Sequence, residues 1–369
     1  MTDRPHPALR VETRLHGVLE RALAGRGWAP HVVPHLGYGT TSWIRVLARV
    51  VLAPPGVRRL DPEESGDDPA DDPGLPRDVR GWRRFVSASA VGVPVTVTAG
   101  GSEHEVVSDR DGYVDAVVPV ALPPGWQPVS VQVTGAADAP GATAYVRVVG
   151  PQTRLGLVSD IDDTVIVTML PRPLVAFRNA FLARESTRRP VPGMARLYAE
   201  VAAAHPEVFV VYVSTGAWNT AAPLGRFLHH HGFPRGPLLL TDWGPTPSGW
   251  FRSGAEHKHT ALRRLLDELP DLSWLLVGDD GQHDPAIYGE LAAASPDRVV
   301  AIAIRELSLG EQVVGHGTTT TRADVPDGRT TGVEVRARDG FGLRDALLRR
   351  GLLSQPPFDE TAADRGRGH

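Results

Sequence analysis

Three carboxylates fall within four residues at Asp160-Ile161-Asp162-Asp163-Thr164, directly after the apolar run Leu155-Gly-Leu-Val-Ser159. Like charges this close repel, and a divalent cation is the natural remedy. Oxygen donors in a chain without cysteine favour Mg²⁺, which takes carboxylates, waters and a substrate phosphate. An Asp-x-Asp taken alone is more often an acidic surface turn; the apolar run before it shifts that balance. A second run, Trp274-Leu-Leu-Val-Gly278, ends the same way in Asp279 and Asp280, with Asp284 five residues beyond Asp279. If the two runs are neighbouring strands, Asp160, Asp162, Asp279 and Asp284 converge on one metal. The alternative is that Asp279-Asp280-Gly281 is a turn and Asp284-Pro285 a helix cap.

Ser214-Thr215-Gly216 closes a third apolar run, Val208 to Ser214, with a hydroxyl and backbone amides able to hold phosphate oxygens. The same triplet is an ordinary helix-start signal. Of the 39 basic residues, Lys258 alone is a lysine. Chance survival under a strong arginine bias is one explanation. The other is a need for a compact ammonium where a guanidinium fork would not serve. Leu262, Leu265, Leu266 and Leu269 follow it as an apolar stripe, which predicts that Lys258 lies in the first turn of a helix. The macrodipole opposes a lysine there, and that conflict marks it as functional.

The elements that must position these residues read as an alternation of apolar strands and helices from residue 155. Strands are predicted at Leu155–Ser159, Val208–Ser214, Leu238–Thr241, Ser273–Gly278 and Val299–Ile304, and helices at 194–204, 221–231, 258–269 and 284–294. This predicts a parallel sheet covered on both faces, with ligands bound off the carboxyl ends of its strands. Upstream, Pro94–Thr98, Tyr113–Val118, Val129–Thr134 and Ala144–Val149 alternate every second residue between Gly-Gly, Asp-Gly and Pro-Pro-Gly punctuation. They predict a small antiparallel β-sandwich that carries no catalytic residue and serves binding or scaffolding. The expected organisation is an N-terminal helix in 1–30, the β-sandwich-like domain in 31–150, an α/β domain in 151–350 and a disordered tail in 351–369. An acidic loop near 61–79 interrupts the second, with seven acids and no base between Asp61 and Asp72.

Composition excludes several classes. The 369 residues are 41% hydrophobic, enough for two or three domains. A net charge of −4 gives no field to gather nucleic acid. The lack of cysteine removes disulfide scaffolds, Cys-ligated zinc, iron–sulfur clusters and thiol nucleophiles. No apolar run approaches the roughly 20 residues needed to span a bilayer, and the start lacks a signal-peptide pattern, so a cytoplasmic location is expected.

The four elements, in this order, resemble the haloacid dehalogenase superfamily of phosphohydrolases: Asp-x-Asp-x-Thr at 160–164, a hydroxyl ending the second strand, a lysine before the fourth, and Gly-Asp-x-x-x-x-Asp at 278–284. A closer resemblance is to the actin-patch phosphatidate phosphatase family and its bacterial relatives. It rests on Ser-Asp-Ile-Asp-Asp-Thr-Val from Ser159, Pro-Gly-Met-x-x-x-Tyr from Pro192, Tyr-Val-Ser-x-x-x-Trp from Tyr212, His257-Lys258, Val277 to Tyr288, and Ile304-Arg305. The resemblance covers about 151–306 and implies a Rossmann-like, haloacid dehalogenase-like fold and an Mg²⁺-dependent phosphatase. Carried over by position, it implies that Asp160 attacks phosphorus to form an aspartyl phosphate. Asp162 then serves as acid and base, while Ser214, Thr215 and Lys258 hold the transferring oxygens. Asp160, Asp162, Asp279 and Asp284 are the implied metal set, and Asp163 is structural.

The implied substrate is phosphatidate, released as diacylglycerol and phosphate. Residues 169–189 join Leu174, Phe177 and Phe181 to five arginines, a basic amphipathic stretch that could rest on anionic lipid at a membrane surface or pack on the domain's own core. Trp243, Trp250 and Phe251 form an aromatic rim for acyl chains or an anchor for their loop. His229-His230-His231 ends a predicted helix, where cations need no further explanation, and no metal is assigned to it. Two other readings compete: the same chemistry on a soluble or polymer-end phosphomonoester, and a non-catalytic scaffold. A scaffold has no reason to keep mutually repelling acids together.

Overall fold

The structure, a computed structural model, describes residues 22–23, 25–54, 89–136, 141–167, 189–241, 254–281, 283–308, 311 and 333–353. Residues 1–21 of the region where the N-terminal helix is expected, the acidic loop, the basic stretch at 169–188, the three loop aromatics and the tail beyond 353 lie outside the described residues.

The N-terminal half is a β unit. Its strands are β1 (Ala29–Pro34), β2 (Gly37–Thr40), β3 (Trp43–Ala53), β4 (Pro94–Ala99), β5 (Ser102–Val107), β6 (Tyr113–Pro119), β7 (Gly125–Val133) and β8 (Ala142–Val149). They form one eight-stranded sheet in the order β1-β3-β2-β8-β7-β4-β5, with β6 on β3. Most pairs are antiparallel, whereas β2 and β8 run parallel. Alternation does what the sequence implies: Val95, Val97 and Ala99 of β4 are buried while Thr96 and Thr98 between them are half-exposed.

The second half is α/β. Strands β9 (Leu155–Asp160), β10 (Phe209–Ala217), β11 (Leu238–Thr241), β12 (Ser273–Asp279), β13 (Val299–Arg305) and β14 (Glu334–Ala337) form a sheet in the order β11-β10-β9-β12-β13-β14, parallel at every pair. Helices α1 (Met194–Ala204), α2 (Ala221–His230), α3 (Gly254–Glu268), α4 (Asp284–Ala294) and α5 (Gly340–Arg349) connect and cover it. Met194, Leu197, Leu224, Phe227, Leu343 and Leu347 of α1, α2 and α5 pack into the core on one face. Leu262, Leu265, Ile287 and Leu291 of α3 and α4 pack on the other. The inner strands β9, β10, β12 and β13 are buried on both sides, which is why their sequences are near-continuous apolar runs. Chain order reverses around β9, whose neighbours β10 and β12 come from opposite directions, and this opens a crevice at its carboxyl end.

The β unit seats on the α3 side. Tyr38 and Leu47 join the core of that face, and the Tyr38 hydroxyl donates to Glu268 at 2.7 Å. Arg45 pairs with Glu268 and Asp115, and Arg264 reaches Asp115 at 2.7 Å. Trp218, four residues past Ser214, stacks on His35 at 4.8 Å and lies 5.8 Å from Tyr113. Among the described residues no helix is long and apolar enough to cross a membrane.

Candidate active site

β9 and β12 are neighbours in register, so their carboxyl ends bring Asp160 and Asp279 to one place. Asp284 arrives on the first turn of α4, where Pro285 starts the helix. Its carboxylate does not cap that helix; Oδ1 takes Lys258 and Oδ2 faces the Asp279 amide at 3.4 Å. This approach needs Gly278, because a Cβ there would lie 2.5 Å from Asp284 Oδ2 and 2.8 Å from the Tyr288 ring. Carboxylate oxygens of Asp160, Asp279 and Asp284 lie within 4.8 Å of one another, and all three residues are buried.

Lys258 is buried among them. Its Nζ meets Asp160 Oδ1 at 2.6 Å and Asp284 Oδ1 at 2.5 Å. The helix that carries it begins at Gly254, so Lys258 lies in the second turn and not the first. The macrodipole conflict is correspondingly weak, and the carboxylates alone explain the lysine. Burial disfavours its charge, but Asp160, Asp284 and Asp279 outweigh that and hold it firmly protonated. Burial, with the charges of Asp284 and Asp162, pushes the Asp160 carboxyl up to about 8 against the opposing pull of Lys258. Burial and the charges of Asp284 and Asp160 raise Asp279 well above the carboxylate range. Three carboxylates against one ammonium leave two negative charges when all are ionised.

That imbalance fits a divalent cation. Asp160 Oδ2 and Asp279 Oδ2 are buried and accept no hydrogen bond. Such orphaned acceptors are rare in native interiors unless a partner of another kind takes them. The donor set is oxygen only, as a hard ion requires. The turn reading of Asp279 also holds in part, since its Oδ1 accepts from the Gly281 amide at 2.8 Å while Oδ2 remains orphaned.

Asp162 lies outside the three-carboxylate group. It is half-buried, and its Oδ2 accepts from Ser214 Oγ at 3.0 Å. Ser214 accepts in turn from the Gly216 amide at 2.9 Å, which fixes its hydroxyl at the mouth of β10. Thr215 is half-buried beside it, and its carbonyl takes the Thr241 hydroxyl at 2.9 Å. The structure thus gathers all seven predicted residues at one sheet edge in two sets: Asp160, Asp279 and Asp284 with Lys258, and Asp162 with Ser214 and its neighbour Thr215.

Two supports escaped sequence reasoning. Ser159 Oγ donates to the Asp160 carbonyl and meets the Tyr198 hydroxyl, each at 2.6 Å, so the tyrosine that ends Pro-Gly-Met-x-x-x-Tyr steadies the strand end. Tyr288 Oη donates to the Val277 carbonyl at 3.2 Å under the second acidic strand. Both tyrosines stand within the motifs that carry the resemblance, Pro-Gly-Met-x-x-x-Tyr from Pro192 and the stretch Val277 to Tyr288, and that was the available signal. His229, His230 and His231 belong to no metal-capable cluster among the described residues.

The family described as "Phosphatidate phosphatase APP1, catalytic domain" matches residues 155–306. The chain is 31% identical over 177 residues to a Saccharomyces cerevisiae protein named phosphatidate phosphatase APP1, covering 47% of this chain and 29% of that protein. It is 25% identical over 214 residues to an uncharacterized protein of Schizosaccharomyces pombe, covering 56% and 35% respectively. The chain therefore spans about a third of the length of these relatives. A carbohydrate acetylesterase from Xanthomonas citri, at 10% identity over 78% of this chain and 73% of that one, superposes with a TM-score of 0.27, too low to carry an argument. The stretch from 155 to 306, which matches the APP1 catalytic-domain family, holds every residue of the buried cluster.

Proposed function

We propose that this protein is an Mg²⁺-dependent phosphatase working through an aspartyl phosphate, with phosphatidate as its substrate. The observation that carries the chemistry is the pair of orphaned oxygens, Asp160 Oδ2 and Asp279 Oδ2, in a buried group that also holds Lys258. The phosphatidate assignment is supported by the family match and by the name of the yeast relative. We read the α/β half as haloacid dehalogenase-like and the β unit as a sandwich-like module against it. A cytoplasmic location with peripheral contact to a lipid surface goes with this reading.

In the proposed mechanism an Asp160 carboxylate oxygen attacks phosphorus in line. The new Asp160–phosphorus bond forms as the bond to the glycerol oxygen breaks, and Asp162 gives that oxygen its proton. Diacylglycerol leaves. Asp162, now ionised, takes a proton from water as the water oxygen attacks phosphorus, and the bond to Asp160 breaks to release phosphate. Ser214 keeps Asp162 oriented and, with Thr215, faces the transferring oxygens. Lys258 balances the charge of the nucleophile and of the phosphoryl group. Mg²⁺, held by Asp160, Asp279 and Asp284, would supply the remaining positive charge.

The test is phosphate release by wild type and Asp160→Asn, with Mg²⁺ or EDTA, on micellar phosphatidate and on a panel of soluble phosphomonoesters. Release from phosphatidate, lost by at least about a thousandfold in the variant and abolished by EDTA, is the expected result. Activity confined to soluble esters overturns the substrate and keeps the mechanism. Silence on every substrate from folded protein overturns both and favours a scaffold.

A further inference from the structure

Arg305, the last residue of β13, is buried and has no part in the mechanism above. β12 separates its strand from β9, yet its guanidinium reaches the loop that follows the nucleophile. Nη1 donates to the Asp163 carbonyl at 2.8 Å, Nε to the Arg338 carbonyl at 3.2 Å, and Nη2 pairs with Glu311 Oε1 at 2.5 Å. Its backbone meets the other acidic loop. The Asp280 amide donates to the Arg305 carbonyl at 3.0 Å, and Asp280 Oδ1 accepts from the Leu307 amide at 2.8 Å. One residue thereby ties the loop after β9 to the loop after β12.

The loop it holds is strained. Asp163 has a φ of 60°, and among the described residues no other non-glycine residue has a positive φ. An L residue in that region is disfavoured unless its surroundings hold it there. Asp163 lies between Asp162 and Thr164, and its left-handed backbone closes the turn in which Asp162 stands. The local alternative partner, the Asp163 amide bonded to the Ile166 carbonyl at 2.8 Å, closes the turn from within. Arg305 Nη1 holds it from outside.

We propose that Arg305 is a positioning residue of the reaction: by gripping the Asp163 carbonyl it keeps the loop in the left-handed turn that aims Asp162 at Ser214. This rests on the phosphatase reading above. Lysine keeps the charge but lacks the planar fork that reaches three acceptors at once, so Arg305→Lys should release the grip. Glycine enters the left-handed region without a Cβ penalty, so adding Asp163→Gly should restore part of what the lysine loses.

The experiment compares wild type, Asp160→Asn, Arg305→Lys and Arg305→Lys with Asp163→Gly for Mg²⁺-supported phosphate release, with melting temperatures for each. Arg305→Lys is expected to lower kcat by about 10- to 100-fold with KM within about twofold, and the added glycine to recover at least about threefold. An unchanged kcat overturns the proposal, as does a loss that glycine does not relieve. Hydrogen exchange at the residue-163 and Ile166 amides reads the loop without turnover. Arg305→Lys is expected to speed it about tenfold and the glycine to slow it again; unchanged exchange overturns the proposal whatever the activity. Wild type no more active than Asp160→Asn would instead overturn the phosphatase reading, leaving exchange to decide Arg305. Should Arg305→Lys fail to fold, Glu311→Gln carries the same measurements with an expected loss of about threefold.

Discussion

The two halves of the molecule bury different things. In the β unit the buried polar side chains among the described residues are Ser89 and Ser108, and both are hydrogen-bonded: Ser89 accepts from Arg49, while Ser108 donates to the Ala90 carbonyl and accepts from the Val93 amide. At the carboxyl edge of the α/β sheet the buried set includes Asp160, Asp163, Lys258, Asp279, Asp284 and Arg305. Burying an ionised group is costly unless it is paired, and a domain selected for stability alone gains little by it. The β unit shows how this chain builds a core without enclosing a whole charged residue among those described. The α/β edge departs from that pattern over a few residues, and the departure coincides with the strand ends where such sheets bind ligands.

The largest expected break of this contrast is Lys258→Met. Removing the ammonium leaves Asp160 and Asp284 buried without their cation, and the loss in unfolding free energy should be about 3–5 kcal/mol by denaturant titration of the metal-free protein. A loss near zero would mean that the carboxylates are already neutral and that the contrast is one of residue type alone.

His35 sharpens the comparison from the interface side. Burial, assisted by Arg49, lowers this imidazole from 6.5 to about 3, so it is neutral in the folded protein. Its ring packs on Trp218, which in turn meets Tyr113 beneath Arg49, and its Nε2 is buried without a partner. The folded pKa lies below the unfolded one, so the stability is present above pH 6.5 and is lost as pH falls towards 3. Wild type should lose about 2 kcal/mol between pH 6.5 and pH 5 relative to His35→Phe. Parallel curves for the two proteins would remove His35 as an acid-sensitive contact between the halves.

Asp279→Asn should act in the opposite direction from Lys258→Met. Burial and its neighbours already disfavour the ionised form of Asp279, so the amide should raise the metal-free melting temperature by about 2–4 °C, near 1 kcal/mol for a chain of this size. The same change should abolish any stabilisation by added Mg²⁺ in a thermal scan. The smallest effect is expected at Glu207→Gln, whose partner Arg147 lies 3.1 Å away in an exposed pair between the halves. Its loss should stay below about 0.5 kcal/mol, and a larger value would show that the seam between the halves depends on charge more than on Tyr38 and Leu47.

Local pattern was a good guide wherever one period ran uninterrupted. The helices at 194–204 and 284–294 have the bounds their apolar spacing implies, and β11 spans Leu238–Thr241 as expected. Other elements carried weaker signals. β5 reads Ser-Glu-His-Glu-Val-Val and forms a sheet edge whose side chains are largely exposed, so no apolar alternation marks it. β14 is four half-buried residues, Glu-Val-Arg-Ala. α5 opens on Gly340-Phe-Gly342, a poor helix start by composition, although Asp339 accepts from the Gly342 amide as an N-cap and was a readable cue. The antiparallel expectation for the β unit fails at β2 and β8, whose parallel pairing is a long-range choice invisible to a period of two.

The sequence by itself determined the residue types, the order of the acidic, hydroxyl and lysine motifs, and their attachment to strand ends and helix starts. These follow from local periodicity and from the chemistry each side chain carries wherever it lies. Only the tertiary structure decided which of these groups meet. β9 lies between β10 and β12, and this order brings Asp160 against Asp279 and Lys258, turns Asp162 towards Ser214, and lets Arg305 reach across β12 to Asp163. Strand order and register are properties of the whole sheet, set by which apolar faces can be buried together. No window of sequence around any one of these residues contains that choice.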